Sequence, residues 1–449
     1  MKNIFLLLAI LFTLNVFAQN TLQRCAFDEV NAIKAQNNPV YKEAVISSFN
    51  NAREYALKNF NKRSNEDILR IPVVVHVVYK TASQNISDSL IFSQIEVLNR
   101  DFRRYNADTA NTRSVFDGIG KDGGIEFYLA CTDPDGNATN GITRTETTKD
   151  AFTINFLTGG GLDDVKFDSL NGKSAWNTSE YLNIWVCNTV DPQSFFGAVL
   201  GFAYPPVGSP NWDSQAYPTD SRIEGVVVHY QVFGKNNPEA VGDYAIANQG
   251  RTAVHEVGHY LGLRHIWGDG QGAIFGGVDC NADDGISDTP NAGNNSQITG
   301  CNANKNTCNE GAGDKPDMWE NYMDYSDEVC QTIFTSEQVD IMRANLSTLR
   351  SALLTAKCAA STAVAEKNNV LKASIYPNPT SEKLNISLAK AENITVKLIN
   401  TLGVIVFNYT SSTNGSMHVI DINHVAKGIY FANVVANDKS TTKRLIITE

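Results

Sequence analysis

The sequence has no excess of positive charge and, beyond its first residues, no long apolar run. It contains 37 Lys and Arg residues against 48 Asp and Glu, a formal net charge of −11. Phosphate backbones attract basic surfaces, so this balance excludes nucleic acid as an expected partner. After residue 14, no stretch is long and apolar enough to cross a bilayer. We therefore expect no membrane span in the mature protein.

The first residues have the pattern of a secretory signal peptide. Lys2 supplies a positive charge, residues 4–14 are apolar, and Val16-Phe17-Ala18 offers a small-residue cleavage site. A membrane anchor is the alternative, but the apolar run is too short for one. We expect a signal peptide over 1–18 and a protein that is secreted or attached to the cell surface.

Export favours disulfides over free thiols for the eight cysteines. Four of them lie in a loop-rich stretch with few apolar residues, where crosslinks supply the order that burial cannot. These four are Cys280, Cys301, Cys308 and Cys330. Their pairing is left open by the residues alone.

Changes in composition divide the remaining chain into four segments. Residues 19–66 are polar with weak helical periodicity, and we interpret them as a pro-segment, with a mature chain starting near Ser64. An N-terminal extension without a role is the alternative. Residues 67–358 form the main domain, 359–371 a small, polar linker, and 372–449 a region of short alternating strands that predicts an all-β sandwich.

The main domain has the pattern of a mixed sheet backed by helices. Ile71–Tyr79 is nearly continuously β-branched, as in a strand buried on both faces. An apolar stripe of helical spacing follows, at Ile91, Ile95, Leu98 and Phe102. Further strands are predicted at Ile125–Cys131, Tyr181–Cys187, Gly201–Tyr204 and Val226–Val232.

Histidine is scarce, yet three of the seven histidines fall between positions 255 and 265. His255 and His259 are four residues apart, so on a helix both imidazoles project from one face. Gly262 permits a left-handed turn that ends the helix and returns His265 toward the other two. Glu256 is adjacent to His255 and lies close enough to reach a water at the shared centre without being a ligand.

This arrangement predicts a zinc hydrolase. Three neutral imidazoles leave zinc one open position for water, whose pKa the metal lowers. Glu256 can take a proton from that water and pass it to a leaving amine, as a general base does. The alternative is a helix whose histidines recur by chance, but the full HExxHxxGxxH spacing is too specific for that explanation. His76 and His229, within apolar strands, are most simply structural.

The HExxHxxGxxH pattern resembles that of the metzincin clan of zinc peptidases, and Asn321-Tyr322-Met323-Asp324-Tyr325 resembles its Met-turn. Together with IPVVVHVVY, DPDGNATNGITR and the four-cysteine loop, it is similar to the pappalysin family over about 70–358. The resemblance implies an α+β, metzincin-like catalytic domain. Such a domain has a mixed twisted sheet, backing and active-site helices, and an irregular, disulfide-linked lower subdomain. It also implies an endopeptidase acting on proteins or peptides.

The resemblance further implies roles for individual residues. Met323 would form the floor beneath the three histidines, and Tyr325 would stabilise the tetrahedral oxyanion; taken alone, both are more often core residues. The implied disulfides are Cys280–Cys308 and Cys301–Cys330. Calcium is implied in the acidic loop, with oxygen ligands from Asp279, Asp283, Asp284, Asp288 and Thr289. A solvated acidic loop is the alternative.

Two hypotheses concern the active-site cleft. Gly201–Tyr204 resembles the edge strand to which a peptide substrate adds, and Asp327 and Glu328 would favour Arg or Lys after the scissile bond. Surface carboxylates are the alternative reading of those two residues. Arg24-Cys25 could place a thiolate on zinc and keep the precursor latent. An unpaired or disulfide-bonded cysteine is the alternative for Cys25.

The tail resembles the sorting domain of proteins exported by the type IX secretion system of Bacteroidetes. The matching features are Tyr376-Pro377-Asn378-Pro379-Thr380, Lys397-Leu398-Ile399-Asn400, Gly428-Ile429-Tyr430 and the closing Lys443-Arg444-Leu445-Ile446-Ile447. The resemblance covers about 372–449 and implies the secretion machinery as a partner. A carbohydrate- or protein-binding β-sandwich is the alternative.

Two other functions compete with the endopeptidase for the whole chain. One is a surface binding or adhesion protein with a vestigial zinc site, although every catalytic position of the motif is filled. The other is a zinc hydrolase that acts on something other than peptides.

Overall fold

The structure, a computed structural model, describes residues 22–59, 68–153, 161–190, 199–206, 221–268, 277–297, 301–355, 371, 373–391, 393–400, 405–412, 415–436 and 439–448. The expected signal peptide, the activation region around Ser64 and almost all of the expected linker lie outside these residues. The chain divides into two compact units, Met1–Ala359 and Ala360–Glu449. Within the described part of the chain, no helix has both the length and the apolar composition needed to span a membrane.

Two helices open the N-terminal unit. Helix α1 spans Phe27–Asn37, and α2 spans Pro39–Asn59. Proline suits the first position of α2, because its missing N–H has no partner within a helix at that point. Helix α2 buries Tyr41 and Phe49 together with smaller residues between them. The apolar side of each helix is narrow, which explains why the helical periodicity of this segment is weak in the sequence.

A six-stranded mixed sheet forms the centre of this unit. Its strands are β1 (Leu69–Tyr79), β2 (Ile125–Leu129), β3 (Ile142–Glu146), β4 (Leu182–Cys187), β5 (Gly201–Ala203) and β6 (Val226–His229). The order is β2-β1-β4-β6-β5, and β3 also pairs with β1. All neighbours are parallel except β5, which runs antiparallel to β6 at the edge. Ile71 to Val78 are all buried, so the prediction of a strand covered on both faces is confirmed.

Four strands are shorter than predicted: β2, β4 and β5 by one or two residues, and β6 by three. The apolar run from Val226 to Val232 forms β6 only as far as His229, and Tyr230–Val232 is a 3-10 turn. His229 pairs with Cys187, the last residue of β4. Because β4 ends there, this neighbour no longer supplies hydrogen-bond partners to continue the ladder.

Three more α-helices lie in the described part of the unit. Helix α3 (Asp88–Phe102) begins at Ser87, whose side chain accepts a hydrogen bond from the Leu90 amide, and it buries the predicted apolar stripe against the sheet. Helix α4 spans Arg251–Tyr260, and α5 spans Ser336–Ser347. Between α4 and α5 the described residues contain no regular helix or strand. Disulfides Cys280–Cys308 and Cys301–Cys330 crosslink this irregular region.

The C-terminal unit contains two antiparallel sheets around one apolar core. Its strands are β7 (Ala373–Tyr376), β8 (Lys383–Ala391), β9 (Ile394–Asn400), β10 (Ile405–Ser411), β11 (Gly415–Asp421), β12 (Gly428–Ala436) and β13 (Lys439–Ile447). One sheet has the order β10-β9-β12-β13 and the other β11-β8-β7. Both sheets contribute to the core, for example through Leu384 and Val396. Alternation of inward and outward residues along each strand produces this arrangement.

Candidate metal centre and active site

The start of α4 is held by a carboxylate from a distant part of the chain. Glu328 is fully buried and accepts hydrogen bonds from the backbone amides of Gln249 (2.6 Å) and Thr252 (2.5 Å). The first N–H groups of a helix have no partner within it, and a negative charge is favoured at this end. Glu328 therefore positions the helix that carries the first two motif histidines.

The end of α4 depends on Gly262. This residue has φ +99°, and a Cβ built there would lie 2.2 Å from the Asn345 side-chain amide. Asn345 in turn donates to the Leu261 carbonyl at 2.8 Å, which ties the bend to α5. Only glycine meets both requirements, and the turn redirects the chain so that His265 returns toward α4.

The structure brings the three motif histidines together at their Nε2 atoms. His259 Nε2 lies 3.0 Å from His255 Nε2 and 3.1 Å from His265 Nε2, and the remaining pair is 3.3 Å apart. All three side chains are buried, and burial lowers the pKa of His255 and His259 well below the ordinary histidine value. Three imidazoles with their Nε2 atoms this close suit a shared cation.

The outer nitrogen of each ring already has a partner. Nδ1 of His255 lies 2.7 Å from the Tyr322 carbonyl, and Nδ1 of His259 lies 2.9 Å from the Leu263 carbonyl. Nδ1 of His265 lies 2.9 Å from a carboxylate oxygen of Asp28. With protons held on Nδ1, each Nε2 presents a lone pair to the centre. Tetrahedral zinc at its usual nitrogen distance would separate the ligand atoms by about 3.3 Å, so the residues present fit zinc.

A methionine packs below this centre. Met323 is fully buried, and a Cβ built on Gly258 would lie 2.5 Å from its sulfur. Gly258, one position before His259, therefore lets the helix rest directly on the methionine. The Asn321 side chain accepts from the Met323 amide at 2.9 Å and also bonds the Gln338 side chain, which anchors the turn to α5.

Glu256 lies beside the histidines and is fully buried. Burial raises the pKa of its carboxyl well above the usual value, and a hydrogen bond from Cys25 acts in the opposite direction. Its Oε1 atom has no hydrogen-bond partner. A Cβ built on Gly201 of β5 would lie 2.7 Å from Oε1, so a glycine on the edge strand leaves the space this carboxylate occupies.

A segment before α1 lies across the site. Sγ of Cys25 is 3.4 Å from Glu256 Oε2, and the thiol joins the three histidines in one group whose ligand atoms all lie within 4.8 Å of one another. The Cys25 carbonyl accepts a hydrogen bond from the Tyr325 hydroxyl at 3.1 Å. Burial raises the pKa of the Cys25 thiol; a divalent cation at the centre would favour the thiolate instead.

The same segment pairs with the edge of the sheet and with the rings of the site. The Ala26 amide donates to the Gly201 carbonyl at 3.0 Å, and the Leu200 amide donates to the Gln23 carbonyl at 2.9 Å. Phe27 stacks on His259, with ring centroids 3.9 Å apart. The N-terminal segment thus pairs with the edge strand β5, which the sequence suggested as the binding edge for substrate.

Arg24 lies among acidic groups beyond the Met-turn. It is 5 % exposed; burial lowers the pKa of its guanidinium, and the carboxylates of Glu328, Asp327 and Asp324 counteract that shift. Glu328 faces α4 and serves as its cap, whereas Asp327 is only half-buried. Asp324 is buried, and its Oδ2 has no hydrogen-bond partner.

The structure does not gather the acidic loop into a metal-binding group. Asp284 is buried and accepts from the Thr289 hydroxyl at 2.8 and 2.9 Å. The side chains of Asp279 and Asp283 accept from nearby backbone amides, and Asp288 accepts from the Glu337 amide at 2.9 Å. Over the described residues, the histidine group with Cys25 is the one cluster of three or more ligand side chains at metal-binding distances.

Several residues of the site have no signal in the sequence motifs. Asp28 holds His265, Gly201 makes room for Glu256, Gly258 contacts Met323 and Glu328 caps α4. Each of these residues contacts a partner that is far away in the sequence, so the spacing of the motif does not indicate the contact. For Asp28, the one available signal was its position three residues after Cys25, which was already a candidate.

Two further cysteines have different states. Cys131 is disulfide-bonded, and Cys187 is a buried free thiol.

Comparisons with known proteins show two family matches. Residues 166–347 match the family described as pregnancy-associated plasma protein-A, and 374–448 match the secretion system C-terminal sorting domain. The chain is 30% identical over 275 residues to an extracellular metalloprotease of Verticillium alfalfae, covering 60% of this chain and 73% of that one. It is 26% identical to one of Arthroderma gypseum over 66% of this chain and 80% of that one.

Two solved structures are similar as well. Mature mirolysin of Tannerella forsythia in complex with a cleaved peptide is 44% identical, with TM-score 0.54, over 64% of this chain and 96% of that one. A point mutant of promirolysin from the same organism is 40% identical, with TM-score 0.60, over 74% of this chain and 97% of that one.

Proposed function

The chain belongs to the pappalysin family of metallopeptidases, and we propose that it is a zinc-dependent endopeptidase in which Glu256 is the general base. It is a secreted or cell-surface protein, as its sorting domain and its extracellular relatives indicate. The observation that carries the proposal is the convergence of three Nε2 lone pairs, each fixed by a partner on Nδ1.

His255, His259 and His265 would hold the metal. When bound, zinc would supply a Lewis acid that activates water and polarises the scissile carbonyl. Met323 supports the histidines from below, and Gly262 sets the direction of the third. The protein itself contributes the rigid placement of the rings, because the Nδ1–H of each ring donates a hydrogen bond to a second residue.

Glu256 would move the proton. Its free Oε1 and its buried position favour accepting a proton from the attacking water and releasing it to the leaving amine. The Tyr325 hydroxyl, now bonded to the Cys25 carbonyl, would donate to the oxyanion once the N-terminal segment has left. A substrate would pair with Gly201 on β5, where the Ala26 amide binds now.

We also propose that a basic residue is preferred after the scissile bond. Arg24 is next to the candidate zinc ligand Cys25 and is attracted to the carboxylates of Asp324, Asp327 and Glu328. A substrate Arg or Lys in the same place would be attracted to the same carboxylates, which supports a pocket for a basic residue. Glu328 is committed to α4 by its hydrogen bonds, so Asp327, with the unpartnered oxygen of Asp324, is the better candidate for contact with substrate.

Latency is proposed to reside in the segment 19–66, with Cys25 as its central contact. The thiol lies within 4.8 Å of the three histidine nitrogens, which supports a role as fourth zinc ligand, and the backbone beside it pairs with the edge strand. A soft sulfur ligand competes well with water for zinc. Displacing the segment would open the metal and the edge strand together. Residues 67–358 are proposed as the catalytic domain, and 372–449 as the domain read by the secretion machinery.

Calcium in the acidic loop remains a proposal. Burial raises the pKa of Asp284 well above the usual value, so a nearby cation would relieve the cost of its charge. We expect calcium at a hundred times its dissociation constant to stabilise the precursor by about 2.7 kcal/mol. Thermal unfolding with calcium and with a calcium chelator measures this, and Asp284→Asn should remove the difference. Identical unfolding curves for wild type in the two conditions would contradict the proposal.

The Glu256→Ala variant tests the catalytic mechanism. We expect hydrolysis of casein by the mature enzyme to fall roughly 10²- to 10⁴-fold, since the general base is lost. Zinc content, measured by mass spectrometry, should stay the same because Glu256 is not a ligand. Glu96→Gln, on the exposed side of α3, is the control and should behave as wild type. Equal activity of Glu256→Ala and wild type would refute the mechanism.

Assays on casein, esters and a peptide library, each with and without a zinc chelator, separate the two competing functions. A binding or adhesion protein with a vestigial site would leave casein intact with or without a zinc chelator. A hydrolase for other substrates would show chelator-sensitive activity on esters but none on a peptide library.

A further inference from the structure

The outward face of the four-stranded sheet in the C-terminal unit carries an exposed apolar cluster. Ile405 is 51% exposed, Ile429 47% and Phe431 42%. Soluble proteins seldom leave several large apolar side chains adjacent on one surface unless something binds there. Side chains alternate between the two faces of a strand, and the inward partners of this sheet already form the core.

The strand register makes this cluster continuous across the sheet. Ile405 is opposite Ile399, and Ile399 is opposite Phe431; a shift in register between Ile405 and Phe407 lets Ile405 face outward while Phe407 packs on the core. Two residues along β12, Ile429 is opposite Ile446. Residues directly opposite in a ladder share a face and touch, so these five side chains form one patch spanning four strands. We call it the β12 patch.

The other sheet offers a comparison within the same unit. Its outward face also has exposed apolar residues, Met417 (58%) and Val419 (56%). This apolar pair does not extend to the next strand, because Met417 is opposite Ser387 and Val419 is opposite Asn385. Exposure alone therefore does not distinguish the two faces; continuity does.

Charge also distinguishes the β12 patch. The chain carries a net charge of −11, yet no outward position of the described β9, β10, β12 and β13 strands is Asp or Glu. Two are basic: Arg444, opposite Phe431, and Lys397, opposite Asn433. A partner that covers the patch would need an apolar centre with carboxylates at its edge.

We infer that the β12 patch is the surface by which the secretion machinery binds this chain, through a protein component with an apolar, acid-rimmed site. Residues 374–448 of this unit match a secretion system sorting domain, which supplies the kind of partner. The inference adds which face of the sorting domain makes the contact.

Export of the full-length chain from a bacterium with a type IX system tests this inference. The double variant Ile429→Ser and Phe431→Ser should accumulate in the periplasm, with extracellular protein reduced about tenfold, the effect of losing roughly 1.4 kcal/mol of binding. The matched control, Met417→Ser with Val419→Ser, should be released as wild type. Circular dichroism and protease resistance of each purified chain report folding.

A second pair of variants keeps the test decisive if the apolar variant fails to fold. Lys397→Glu with Arg444→Glu changes only surface charge and should also block release, whereas Lys383→Glu on the other sheet should not. Normal release of folded patch variants would overturn the inference. So would sedimentation showing that the patch joins two copies of this chain, or patch-dependent binding to lipid vesicles with export unchanged.

Discussion

Gly201 and Gly258 determine how closely other residues approach the metal centre. Neither position requires a positive φ, so the argument for glycine is space rather than backbone freedom. A Cβ on Gly201 would meet Glu256, and one on Gly258 would meet Met323. Interiors are packed densely enough that one additional methyl group forces its neighbour to move.

At the scale of single residues, we predict that Gly201→Ala lowers catalysis without removing zinc. The added methyl group would displace the Glu256 carboxylate, and a misplacement of 1 Å can cost on the order of 10²-fold in rate. Steady-state kinetics of the mature enzyme and its zinc content measure the two effects. Gly415→Ala in β11, whose nearest neighbour is 3.7 Å away, is the control and should leave both unchanged. Wild-type kinetics for Gly201→Ala would show that Glu256 tolerates the displacement.

At the scale of elements, α4 is short and is flanked by two glycines at positive φ. Gly250 precedes its first residue, and Gly262 lies two residues after its last. Such a helix has little stability of its own and depends on contacts with the rest of the domain. Glu328 supplies one at the start and Asn345 another at the end. The spacing of the histidines thus becomes a metal site only because distant residues hold the helix in place.

The two neighbouring acids beyond the Met-turn should have different effects when neutralised. Glu328→Gln should lower the free energy of unfolding by about 1–3 kcal/mol, because charge-assisted bonds to buried amides weaken. Asp327→Asn should change stability by less than about 0.5 kcal/mol, yet reduce the preference for Arg or Lys after the scissile bond. Urea unfolding and a peptide library measure these outcomes. A loss of stability in Asp327→Asn together with a loss of basic preference in Glu328→Gln would show that the two roles are exchanged.

At the scale of the whole molecule, the N-terminal segment and the catalytic site fit as complementary surfaces. Cys25 meets Glu256, Phe27 stacks on His259, and Asp28 bonds His265. Helix α2 continues this cover, with Phe49 stacked under the Arg264 guanidinium. The contacts involve the three motif histidines, Glu256 and the edge strand at once, which supports the proposal that the segment keeps the precursor latent.

We predict that the uncleaved Cys25→Ala precursor hydrolyses a fluorogenic peptide faster than the uncleaved wild type. A tenfold gain corresponds to losing roughly 1.4 kcal/mol of contact between the segment and the site. Initial rates should be taken while gels still show the full-length chain, so that self-processing does not contribute. Cys187→Ala removes the second buried free thiol of the described residues, in β4, and should leave latency intact. A Cys25→Ala precursor as inactive as wild type would exclude the thiol as the switch.

Local spacing predicted the parts of this protein whose geometry is local. The interval between His255 and His259 places both on one helical face, and the run Ile71–Tyr79 forms the buried strand it suggested. The interpretation as a metallopeptidase with a sorting tail followed from such motifs, together with family resemblance, and both parts are confirmed by the comparisons. The end of β6 was predicted wrongly because it depends on where β4 stops.

By itself, the sequence determined the candidate ligands, the candidate general base, the helical period that aligns them and the alternation that makes the tail a sandwich. These follow from covalent spacing, which fixes the relation between residues a few positions apart. Only the tertiary structure decided that Asp28 reaches His265, that Glu328 caps α4 and that Ile405, Ile399 and Phe431 share one face. Contacts between residues so distant in the chain depend on how whole elements pack, and no local pattern encodes that packing.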